Sequence, residues 1–151
     1  MHTFLSQTAE YALRAVAWIA SESPQKPVLS RELSAGTQIP AQYLSKILRR
    51  LVLAGILESR KGRGGGFTLI RPPGEITFRD VLSAVDAYPD KDGCAFGWGS
   101  CDQRNPCPLH DAWSQMSEGF RDWAATSNFA DLRPLTASRP SRKRRARQKP
   151  R

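Results

Sequence analysis

Cysteine is nearly absent from this 151-residue chain: none lies outside the span 94–107, and within it stand only Cys94, Cys101 and Cys107. A disulfide framework is therefore excluded, because three thiols cannot all pair and the rest of the chain has none to offer. No run of 18 apolar residues is present to span a membrane. No apolar signal segment points to an oxidising compartment, so a cytoplasmic location is the expectation. The glycine tract at 62–66 lacks the G-x-x-x-x-G-K-[ST] spacing of a phosphate-cradling loop, and no helix is expected directly behind it. No substrate motif is evident, so the chain does not read as an enzyme. Acidic residues are missing altogether from 137–151, where Arg139, Arg142, Lys143, Arg144, Arg145, Arg147, Lys149 and Arg151 stand. That segment has too little apolar content to bury and is expected to be disordered.

Most of the formal charge of +9 resides in that tail; without its eight cations, fifteen basic residues face 14 acidic ones. The remainder is polarised. Between Arg31 and Arg63 seven cations face two acids, whereas between Asp80 and Asp131 nine acids face three cations. One third is suited to a polyanion and another third should avoid it.

Leu5, Ala9, Ala12, Leu13, Val16 and Ala20 recur at helical spacing, which predicts a helix over about 5–21. Ser30 is the expected N-cap of a short helix at 31–36, closed by Gly36. Pro40 opens a longer helix with Leu44, Ile47, Leu48 and Leu51 on its inner face, and Gly55 stops it. The outer face of that second helix carries Gln42, Tyr43, Lys46, Arg49 and Arg50. This is the pattern of a helix-turn-helix, and equally of an ordinary helical hairpin with a basic face. Apolar runs at 56–60 and 67–70 flank the glycine tract, predicting a β-hairpin whose tip carries Arg60, Lys61 and Arg63. A helix-turn-helix followed by a basic hairpin is a winged helix, with the tip available to phosphates or a minor groove.

Thr77 caps an expected helix at 78–88 with Val81, Leu82 and Val85 inward. A long helix from Pro108 to about Asn128 carries Leu109, Trp113, Met116, Phe120 and Trp123, a 3.5-residue period that suits the seam of two packed helices. Packing onto its own domain is the alternative to a homodimer seam. Between these helices lie the cysteines, among Gly93, Gly97, Gly99, Pro106 and Pro108, with His110 three residues after Cys107. Such a loop either holds incidental surface thiols or lets the backbone fold back until three sulfurs converge on a metal or iron–sulfur cluster.

The segments Glu10-Tyr11-Ala12-Leu13-Arg14-Ala15, Tyr43-Leu44-Ser45-Lys46-Ile47-Leu48 and Arg60-Lys61-Gly62-Arg63-Gly64-Gly65-Gly66-Phe67-Thr68-Leu69 stand in order before the cysteine loop. Together, over about residues 3–135, they resemble the Rrf-two family of bacterial winged-helix transcriptional regulators, in its iron–sulfur branch of IscR-like and NsrR-like members. The resemblance implies a mainly α fold with a small β-hairpin wing: a winged helix-turn-helix domain plus a long dimerisation helix. Its parts fall at 1–88 for the DNA-binding domain, 89–108 for the cluster loop, 109–136 for the dimerisation helix and cap, and 137–151 for the basic tail. It implies a homodimer, repressing as a rule, that binds pseudo-palindromic double-stranded DNA. It also implies a [2Fe–2S] or [4Fe–4S] cluster on Cys94, Cys101 and Cys107, sensing nitric oxide, iron, oxygen or cluster supply. The first spacing here has six intervening residues where the familiar pattern has five. His110 matches the IscR-like fourth ligand, Glu10 lies near the aspartate of NsrR-like members, and an exogenous ligand is the third option. A structural zinc on three cysteines and His110 is the alternative to redox sensing.

Overall fold

The computed structural model describes residues 4–22, 26–102 and 104–132. Helix α1 (Gln7–Glu22) forms because Ala9, Ala12, Val16, Ile19 and Ala20 fall on one face, all of them buried. Helices α2 (Ser30–Thr37) and α3 (Ala41–Leu53) complete the helix-turn-helix, with Leu33, Leu44, Ile47, Leu48 and Leu51 turned inward against α1. Strands β1 (Leu57–Arg60) and β2 (Gly66–Leu69) pair antiparallel, with Leu57 opposite Leu69 and Arg60 opposite Gly66. A 3₁₀ turn (Pro73–Glu75) leads to α4 (Phe78–Ala84), and α5 (His110–Thr126) follows the cysteine loop. The chain is thus mainly α with a two-stranded hairpin, as its sequence pattern requires. Among the described residues no helix is long and apolar enough to cross a membrane.

Helix ends depart from the sequence reading in three places. Leu29, not Ser30, occupies the N-cap of α2, and its N–H is satisfied by Glu32 Oε2 at 3.0 Å. Gly36 does not stop α2; it lies inside the helix because the Trp18 indole crosses it, and a Cβ there would stand 2.4 Å from Trp18 Nε1. The left-handed residue that ends α2 is Gln38, at φ 59°. Helix α4 stops at Ala84 rather than running to 88. Asp86 there adopts φ 55°, its N–H donates to Ser83 O at 3.2 Å, and the Ala87 N–H donates to Leu82 O at 2.8 Å. That is a Schellman turn with aspartate where glycine is usual, at a backbone cost of about 1–2 kcal/mol. The N-terminal end of α4 is as expected: Asp80 N–H donates to Thr77 Oγ1 at 3.2 Å and Thr77 N–H to Asp80 Oδ2 at 3.0 Å.

Two tertiary contacts position the rest. Val28 pairs with Phe67 through two 2.9 Å backbone hydrogen bonds, docking the hairpin on the segment before α2. After α5 the chain turns back: Phe78 N–H donates to Ser127 O at 3.0 Å and Phe129 N–H to Pro73 O at 3.2 Å. Phe129 is fully buried beside Phe78, ring centroids 4.9 Å apart. Burial of that ring contributes about 1.5–3 kcal/mol to holding the end of α5 against the start of α4.

Candidate metal centre and nucleic-acid interface

The outer face of α3 exposes Gln42, Tyr43, Lys46 and Arg49. Tyr43 leans edge-on against Tyr11, ring centroids 6.4 Å apart, which fixes it while leaving its outer edge open. Arg50 differs. It is half-buried, its Nη1 donates to Val85 O at 3.3 Å, and its Nη2 is paired with the Asp86 carboxylate. The structure therefore separates Arg50 from the cations grouped with it on sequence. At the hairpin tip Arg60, Lys61 and Arg63 are all exposed, Arg60 lying 3.4 Å from Glu58. Exposed pairs of that kind are weak enough to yield to a phosphate. Gly66 permits the tip to close against Val28, since it adopts φ 139° and a Cβ there would stand 2.6 Å from Val28 O.

The cysteine loop is tied to α5 at both sides of its first half. Trp113 Nε1 donates to Gly93 O at 2.7 Å, Arg121 Nη1 to Pro89 O at 2.6 Å, and Tyr88 OH to Arg121 O at 3.4 Å. Within it Gly93 and Ser100 face each other, and Cys94 N–H donates to Gly99 O at 2.9 Å. This narrow turn brings Cys94 and Cys101 to the same end of the loop, Cys101 N–H donating to Asp92 O at 2.9 Å. Backbone N–H groups, Phe96 foremost and then Trp98, point at Cys94 Sγ and hold that thiol below its ordinary pKa. Partial burial, followed by the nearby charge of Cys94, pushes Cys101 upward. Phe96 and Trp98 themselves stack at the outer edge of the turn, Trp98 being 82% exposed.

Convergence of all three sulfurs is not complete: among the described residues no three His, Cys, Asp or Glu side chains form a group that could hold a metal ion. Cys107 is exposed, just ahead of α5, where His110 N–H donates to its carbonyl at 3.0 Å. His110 Nδ1 is buried and has no hydrogen-bond partner among the described residues. Burying an imidazole nitrogen unpaired is costly, so this atom is poised for a ligand. Glu10 lies on α1 in an ion pair with Arg14, whose Nη1 also reaches Thr37 O at 3.4 Å. As a donor set, three soft thiols and an orphaned imidazole on one loop fit an iron–sulfur cluster, and they fit zinc as well.

Helix α5 divides the expected seam in two. Trp113 and Phe120 turn partly inward, Phe120 against Phe4 with ring centroids 5.9 Å apart, and Ser117 and Ala124 are buried beside them. Leu109, Met116 and Trp123, one heptad apart from each other, remain 54, 46 and 43% exposed. The first stripe packs on its own domain; the second is the more exposed ridge, although Trp123 also meets Phe78 edge-on, ring centroids 5.2 Å apart. The basic tail lies outside the described residues.

Comparison with known proteins agrees with this architecture. The Rrf2 family, described as an iron-dependent transcriptional regulator, matches residues 5–134. The HTH-type transcriptional regulator IscR of Klebsiella pneumoniae is 33% identical over 128 residues, covering 85% of this chain and 78% of that protein. IscR of Xenorhabdus nematophila is 30% identical over 128 residues, covering 85% of this chain and 77% of its own. Among solved structures, CymR, the global cysteine regulator of B. subtilis, superposes with TM-score 0.73 over 89% of this chain and 98% of that one at 16% identity. T. potens IscR superposes with TM-score 0.71 over 93% of this chain and 95% of that one at 18% identity. These structures share the fold, and the sequence relatives are named as regulators of transcription rather than as enzymes. With a family match spanning most of its length, the chain belongs to the Rrf2 family of transcriptional regulators.

Proposed function

We propose that this chain is a cytoplasmic, homodimeric repressor whose affinity for a pseudo-palindromic DNA site is set by an iron–sulfur cluster. Gln42 and Tyr43, exposed on α3, would read base edges, while the exposed Lys46, Arg49, Lys61 and Arg63 would contact phosphates. Arg60 joins them once released from Glu58. Two copies joined along Leu109, Met116 and Trp123 would present two α3 helices to successive major grooves.

Cys94, Cys101 and Cys107 would hold the cluster, with His110 as the fourth protein ligand. The observation that carries this assignment is the buried, unpartnered His110 Nδ1, placed one turn after Cys107. Glu10, occupied by Arg14, is the weaker candidate. The N–H groups that converge on Cys94 Sγ favour an anionic sulfur there, as a cluster ligand requires. When bound, the cluster supplies a centre that responds to redox change, nitric oxide or iron supply.

The ligand set is tested by anaerobic purification of His110→Ala, Glu10→Ala and the three single Cys→Ala variants, with absorption spectra and iron and sulfide assays. Each cysteine variant loses the chromophore, His110→Ala shifts the spectrum and makes the cluster labile, and Glu10→Ala resembles wild type. A colourless wild-type protein containing zinc contradicts the reading, as does full iron retention by any cysteine variant.

A further inference from the structure

The recognition helix and the chain that leads into the cysteines meet at one side-chain pair. Asp86 occupies the left-handed position of the Schellman turn that ends α4, a place glycine takes without steric cost. What aspartate adds there is a carboxylate, and that carboxylate accepts from Arg50 Nη2. The other arm of the same guanidinium donates to Val85 O at 3.3 Å, the carbonyl at the C-cap of α4. Arg50 belongs to the last turn of α3, so one residue of the recognition helix caps the helix that precedes the loop.

Beyond Asp86 little slack remains before the first cysteine. Tyr88 and Pro89 are both bonded to Arg121, and Gly93 is bonded to Trp113, each anchor lying on α5. Cys94 is the next residue. A change in the path of the loop therefore reaches Asp86 through a short, fastened segment. The planar guanidinium fork across Val85 and Asp86 then converts it into a change at the end of α3. Exposed ion pairs add little to folding stability, and the Asp86 side chain is 81% exposed. What ties the two helix ends together is the fork itself, one arm on Val85 O and the other on the Asp86 carboxylate.

We propose that the Arg50–Asp86 pair is the link through which the state of the cysteine loop sets the orientation of α3, Arg50 being a positioning residue and not a DNA contact. The proposal rests on the reading of α3 as the DNA-contacting helix and of the loop as the cluster holder. The test uses the full chain as wild type, Asp86→Gly, Asp86→Asn and Arg50→Lys, each with cluster and after its removal. Affinity is measured by fluorescence anisotropy on a duplex selected by the wild-type holo-protein. Amide hydrogen exchange in the last turn of α3 is followed without DNA.

Asp86→Gly relieves the strained backbone, so it folds with an unchanged or raised melting temperature and keeps its chromophore. Its ratio of holo to apo affinity nevertheless falls about fivefold or more towards unity, and its α3 amides exchange alike in both forms. Asp86→Asn and Arg50→Lys lie between it and wild type, and Arg50→Lys carries the test alone should Asp86→Gly not fold. A wild-type ratio and a wild-type exchange difference in Asp86→Gly, or in Arg50→Lys if it stands alone, overturn the link. So does an Arg50→Ala variant whose salt dependence falls by about one unit of slope, which would make Arg50 a phosphate contact. Equal affinity of wild type in both forms contradicts the functional reading itself, a result distinguishable from failure of the link.

Discussion

Replacing Met116 by glutamate tests the proposed dimer where the fold is least disturbed. Met116 is 46% exposed in the monomer, so about half of its side chain is left for a partner to cover. Full burial of a methionine is worth about 1.5–3 kcal/mol, so sealing the exposed half contributes about 0.7–1.5 kcal/mol per protomer. A two-fold interface doubles this to about 1.5–3 kcal/mol, or about 10- to 100-fold in dimer dissociation constant. Glutamate adds the cost of desolvating an unpaired carboxylate, so these values are a floor. Sedimentation equilibrium of Met116→Glu, with Gln115→Glu on the exposed side of α5 as control, measures the effect. The control should match wild type and retain its circular dichroism. A Met116→Glu dissociation constant within twofold of wild type would refute the seam, as would wild-type protein that is monomeric at micromolar concentration.

Three further outcomes follow from the same structure. Gly66→Ala places a Cβ against the Val28 backbone at φ 139° and should cost at least about 1–3 kcal/mol by thermal or urea unfolding, whereas Gly62→Ala, with open space around it, should cost less. Lys46→Ala and Arg63→Ala should each flatten the salt dependence of DNA binding by about one unit of slope, while Tyr43→Ala relaxes sequence preference more than affinity; unchanged slopes would remove both cations from the interface. Truncation after Ala137 should weaken binding to random duplexes and slow association at low salt without reordering operator variants, and a changed order would show that the tail reads bases.

How much of this was legible without coordinates depended on whether a residue acted locally. Thr77 with Asp80 and Gly55 after α3 follow from capping chemistry, and the hairpin from two apolar runs about a glycine tract. Gly36 misled because the same residue that ends helices also admits a close neighbour, and only the fold brings Trp18 over it. The end of α4 was hidden because a Schellman turn normally advertises itself with glycine, and here aspartate bears the strain in return for Arg50. The pairing of Arg50 with Asp86 was not legible, since the two lie 36 residues apart in sequence. The five-residue seam on α5 was legible as a period but not as two stripes, because Phe4 and Gly93 are remote in sequence. At the candidate centre, the residue types and spacing of Cys94, Cys101, Cys107 and His110 were readable. The turn that sets Cys94 and Cys101 at one end of the loop and the orphaned Nδ1 required the fold.

The central claim is that the cluster controls DNA affinity, and one measurement addresses it directly. Duplexes selected by the anaerobic holo-protein from a random library are titrated with holo-protein and with apo-protein from the same preparation, at fixed salt. A difference of about 5- to 150-fold between the two forms, abolished in Cys101→Ala, is the predicted result. Equal affinities in a preparation shown to carry iron and sulfide would contradict the account.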